Sequence, residues 1–130
     1  MGDRSKAKDF LAKPMSFLAA WGAPLALLLA LSLFRGDTPL LADAGLTIVA
    51  LAWMGVACLA NAARCGRRHC FYSGPVFLVA AFAVLLVATG AVPIEPRYIG
   101  DIVWAALALA GLTFVPEWIQ GRYRANRFHD

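Results

Sequence analysis

Residues 61–75 read NAARCGRRHCFYSGP and lie between two stretches apolar enough to cross a bilayer. A short basic segment between two such runs is the mark of a helical hairpin, in which one span ends, the chain reverses, and the next span begins. The same segment is where cysteines, a histidine and arginines gather. Cys65 and Cys70 bracket Arg67, Arg68 and His69. Reading these residues as a turn between spans sets the fold, and any chemistry is expected here too.

The composition outside the hairpin agrees. Of 130 residues 61% are hydrophobic and only 15% charged, and the mean hydropathy of +0.67 is too apolar for a soluble domain of this size. Charged residues cluster between apolar runs instead of forming a periodic polar face. The pI near 9.3 calls for no nucleic acid, because short cytoplasmic loops of membrane proteins carry an excess of Lys and Arg.

Four spans follow, at about 14–34, 44–63, 75–92 and 102–119. Each is long enough, at ~1.5 Å rise per residue, for a hydrocarbon core of ~30 Å. Pro24 is expected to kink the first span. Ser73 suits an N-cap for the third span and Pro75 its first turn. Gly36, Asp37 and Pro39 mark one loop, and Pro93, Pro96 and Gly100 another. Trp104 and Trp118, extended by Tyr98 and Tyr123, fall where interfacial aromatic belts sit. Ala42-Asp43-Ala44 resembles a signal-peptide cleavage site, but the run before it exceeds the ~7–15 apolar residues of a signal core, so a retained helix is expected. The chain, residues 1–130, reads as one integral membrane domain, an all-α bundle of four transmembrane helices.

Orientation comes from counting. Arg4, Lys6, Lys8, Lys13, Arg64, Arg67, Arg68, Arg122, Arg124 and Arg127 share one face, and only Arg35 and Arg97 fall on the other, so ten of twelve positive residues mark the cytoplasmic side. Both termini and the hairpin are then expected inside. The localisation that follows is a bacterial inner (plasma) membrane. The basic tail at residues 122–127 is expected to lie on anionic headgroups.

Two thiols separated by a turn-forming Gly66 suit a soft ion such as Hg, Cu or Zn, and the neighbouring cations favour the thiolate. His69 adds a third donor. Cys58, Asn61 and Cys65 fall on one stripe of the second helix, with Cys58 and Cys65 roughly 10 Å apart along the axis, too far to share an ion but suited to passing one on. The candidate metal ligands are therefore Cys65, Cys70, His69 and Cys58. The odd count of three cysteines argues against a fully paired disulfide framework.

A small multi-span chain with a cytoplasmic cysteine pair and a further thiol inside a helix resembles the mercuric-ion transport proteins of bacterial mercury-resistance operons. The resemblance rests on size, span number and thiol placement. It implies that Cys65 and Cys70 act as cytoplasmic acceptors of Hg(II), with Cys58 as a relay.

Other polar groups read as structural. Glu117 at the inner end of the fourth span needs a cation, and Arg64, Arg67 and Arg122 are the candidates. Asn61, Thr47, Thr89 and Thr113 are expected to bond between helices. Small-residue pairs, Ala26 with Ala30, Ala57 with Asn61 and Ala106 with Ala110, mark close helix approach. No catalytic constellation is present, and the chain does not read as an enzyme; a membrane thiol oxidoreductase would place its cysteine pair at the outer face. The leading expectation is a small inner-membrane protein that binds or transports a soft metal ion. The alternative is a structural or accessory subunit, packed against membrane protein partners or other copies of itself in the lipid bilayer, with incidental cysteines.

Overall fold

A computed structural model describes residues 13–121, with the side chain of residue 65 outside the description. Four helices are long and apolar enough to cross a membrane: α1 (Pro14–Leu33), α2 (Leu40–Cys65), α3 (Arg68–Ala88) and α4 (Pro96–Gln120). Among the described residues there is no strand. The all-α four-span architecture is as the hydropathy predicts. Arg4, Lys6 and Lys8 and the basic tail at 122–127 lie outside the described residues.

Several helix boundaries differ from expectation: α4 starts at Pro96, not at 102, and α3 ends at Ala88, not at 92. α2 starts at Leu40, directly after Pro39, not at 44. α3 starts at Arg68, well before Pro75, so Ser73 is no cap. Its hydroxyl donates to the His69 carbonyl at 2.7 Å, and Pro75 lies inside the helix. The physical reason is burial: His69, Cys70 and Ser73 are polar by type but pack inward, and tertiary contacts carry helix over residues that propensity assigns to a loop. The reversal itself is only Gly66 and Arg67. Gly66 takes φ of 73°, and its N–H closes α2 on the Ala62 carbonyl.

α1 departs from a regular α-helix just ahead of Pro24. Leu18–Gly22 form a π-turn immediately before it, with the Ala23 N–H reaching back to the Leu18 carbonyl. Proline has no N–H to offer the preceding turn, and a wider turn absorbs that loss. The bulge carries Ala20 and Trp21, both buried, onto the core.

The bundle centres on the α2–α3 hairpin. The two helices approach closely at Gly55 and Gly74: a Cβ on Gly55 would stand 3.0 Å from the Gly74 carbonyl oxygen, and one on Gly74 would stand 3.2 Å from that of Gly55. Missing side chains let the two backbones touch, the usual basis of helix contact in a lipid solvent. Ala106 and Ala110 on α4 are buried as expected, whereas Ala26 and Ala30 on α1 are exposed. Thr47, Thr89 and Thr113 do not bridge helices; each hydroxyl donates to a carbonyl one turn back on its own helix. Trp104 and Trp118 point outward, at 61% and 89% exposure, where lipid would cover them.

Candidate thiol centre

α2 and α3 bring a thiol each to the interior. Cys58 on α2 and Cys70 in the first turn of α3 are fully buried and free, and the two thiols are neighbours across the α2–α3 interface. The Gly55–Gly74 approach lies beside them and sets their separation. Asn61, one turn beyond Cys58, donates from Nδ2 to the Cys70 sulfur at 3.7 Å. This is the interhelical bond expected of Asn61. The Trp21 indole N–H, turned inward by the π-turn, approaches Cys58 without closing a hydrogen bond.

A second chain of contacts begins at Cys70. His69 Nε2 lies 3.4 Å from its sulfur, and His69 Nδ1 lies 3.2 Å from Glu117 Oε1 on α4. Arg67 Nε donates to the same oxygen at 3.0 Å. Arg67 is among the three arginines expected to serve Glu117, and Arg122 lies outside the described residues. A carboxylate held by a guanidinium only accepts hydrogen bonds, so Nδ1 of His69 donates to it. Nε2 is left facing the Cys70 thiol. The ring is clamped as well, stacked on Phe114 with centroids 4.3 Å apart and edge-on to Trp21 at 6.3 Å. Trp21 in turn meets Phe77 edge-on at 5.5 Å.

Arg68 Nη1 donates to Gln120 Oε1 at 3.1 Å, fastening the Gly66 turn to the end of α4. Thus four helices converge at one end of the bundle. α1 supplies Trp21, α2 supplies Cys58 and Asn61, α3 supplies Arg67 at its N-cap with His69 and Cys70, and α4 supplies Phe114 and Glu117.

Of the four expected ligands, the structure gathers Cys58, His69 and Cys70, and the Cys65 side chain lies outside the description. Cys70 lies inside the bundle and not at its surface, with Cys58 as a neighbouring thiol; its relation to the Cys65 side chain falls outside the described residues. Among the described residues no three His, Cys, Asp or Glu side chains stand as a ready metal cage. The donor set is a facing pair of thiols with an imidazole next to one of them. Sequence reading had no route to the Cys58–Cys70 pairing or to His69 on Glu117, because both depend on which helix faces meet. Gly55 was a signal within reach. An isolated glycine inside a span costs about 1 kcal/mol against alanine and often marks a close approach.

No protein family, curated protein or solved structure shows a significant match to the chain.

Proposed function

We propose that the chain is a small membrane protein that takes up a soft, two-coordinate metal ion between Cys58 and Cys70, and that the mercuric ion suits the site best. The observation that carries this reading is the facing pair of buried thiols. Sulfur selects soft ions over the hard cations that oxygen ligands hold. A tetrahedral zinc site would need further ligands, and the described residues offer no such cluster. A linear ion needs only two.

Charge balance favours a divalent ion. When Hg(II) replaces the two thiol protons, two S–Hg bonds form, two S–H bonds break, and two protons leave. The site carries the same net charge before and after. In a low-dielectric interior, where an uncompensated charge costs several kcal/mol, that equality matters. A monovalent Cu(I) would leave one negative charge behind. His69 Nε2 faces the Cys70 sulfur, and the Glu117–Arg67 pair holds the ring in that orientation.

On the orientation given by the distribution of basic residues, this end of the bundle faces the cytoplasm, so an ion held here is positioned for hand-over to that side. Cys65, the last residue of α2, is the next thiol along the helix in that direction. The test is the sulfur-to-mercury charge-transfer absorption of reduced protein titrated with Hg(II) in detergent. One equivalent should develop a two-thiolate band that is lost in Cys58→Ser and in Cys70→Ser. A band unchanged in both variants refutes the reading and leaves the cysteines as packing residues of an accessory subunit.

A further inference from the structure

At the end of the bundle away from the thiols, α1 and α4 part to leave a slot of about 250 Å³. Its walls include Leu25 and Leu28 of α1 and Val103, Trp104 and Leu107 of α4, and Arg35 is one of its lining residues. The apolar walls run over about two turns of helix, roughly 10 Å at the rise of an α-helix.

Arg35 is unusual in its surroundings. Its ion-pair partner is Asp43, with Nε 3.5 Å from Oδ2, and this contact does not close a hydrogen bond. Its guanidinium lies over Gly100 in the first turn of α4, where any Cβ would collide with Nη1. Gly100 is therefore needed for the guanidinium to lie where it does. The side chain keeps 31% of its surface exposed. A guanidinium carries five N–H donors in a planar fork that matches the oxygens of a phosphate.

We infer that this slot is a binding site for a single membrane glycerophospholipid, with one acyl chain between α1 and α4 and the phosphodiester on Arg35. The two halves of the site select together. An apolar slot alone would hold any hydrocarbon, and an exposed arginine alone would hold any anion. Their continuity along one groove of a bilayer-spanning chain fits a molecule whose hydrocarbon and phosphate are joined. Asp43 neutralises part of the Arg35 charge, so recognition falls on the phosphate common to zwitterionic and anionic lipids and not on net headgroup charge.

Native mass spectrometry of the delipidated protein in detergent tests this, with a phosphatidylethanolamine, a phosphatidylglycerol or a diacylglycerol of the same chains added at equal concentration. The expected result is one retained lipid per chain for both phospholipids and at least tenfold less diacylglycerol. Arg35→Gln should lower phospholipid retention to the diacylglycerol level. Leu107→Phe, which narrows the slot without touching Arg35, should lower retention of all three. Equal retention of diacylglycerol and phospholipids, or retention unchanged in Leu107→Phe, overturns the assignment. The far-ultraviolet circular dichroism of each variant, matched to the parent, verifies that it is folded.

Discussion

Replacing Gly55 by alanine isolates the contact that sets the distance between the two thiols. The new Cβ would meet Leu78 Cγ at 2.8 Å, Leu78 Cδ2 at 2.9 Å and the Gly74 carbonyl oxygen at 3.0 Å. Leu78 can turn away, but a backbone oxygen cannot, so α2 and α3 must part by a few tenths of an ångström. Two terms oppose each other. Alanine gains about 1 kcal/mol over glycine in a helix interior, and overpacking a tight contact costs about 1–3 kcal/mol. Gly45, on the same helix with nothing within 4 Å of its missing Cβ, supplies the control, because its alanine variant has only the gain. Gly55→Ala should therefore be about 1–3 kcal/mol less stable than Gly45→Ala in reversible denaturant unfolding in mild detergent. It should also slow oxidative cross-linking of Cys58 to Cys70, which Gly45→Ala should leave unchanged. If the two variants match in both stability and cross-linking rate, the glycine contact does not set the thiol geometry.

Three further outcomes are expected. Arg67→Ala should cost about 2–3 kcal/mol, less than the ~3–5 kcal/mol usual for breaking a buried ion pair, since His69 still bonds the same Glu117 oxygen, and adding Glu117→Gln should recover most of that loss in the same unfolding assay. Phe77→Ala, which empties a site with no solvent exposure beside Trp21, should cost about 3–5 kcal/mol by the same measurement. Hg(II) held between Cys58 and Cys70 should quench Trp21 fluorescence through the heavy-atom effect; a Trp21→Phe variant should lose that quenching, and its persistence would place the ion elsewhere.

The sequence made the four spans plain because a bilayer imposes one strong rule, about twenty apolar residues per crossing, and composition alone answers to it. It misplaced the start of α3 for an equally physical reason. His69 and Ser73 are polar and Pro75 suits a first turn, so local propensity puts the helix later, while burial against Trp21, Phe114 and Glu117 extends it to Arg68. The site was legible as a cluster of residue types. Cys70 and His69 stand out by spacing, and Glu117 by the cost of an acidic group near a span end. Its wiring was not legible. Asn61 and Cys58 reach Cys70 across a helix interface that depends on two glycines, and no periodicity announces which glycines will face each other. The threonines show the opposite failure. Their hydroxyls have a carbonyl of their own helix within reach, and that local bond wins over an interhelical one.

The central claim, that Cys58 and Cys70 form the metal site and Cys65 does not, is tested most directly by Hg(II) stoichiometry under competition with a small monothiol, on reduced protein and its three single Cys→Ser variants. Two thiolates should resist a competitor that strips an ion held by one. The account predicts one competitor-resistant ion per chain in the parent and in Cys65→Ser, and none in Cys58→Ser or Cys70→Ser. Loss of the resistant ion in Cys65→Ser, with its retention in Cys58→Ser, would contradict the account and return the site to the turn between α2 and α3.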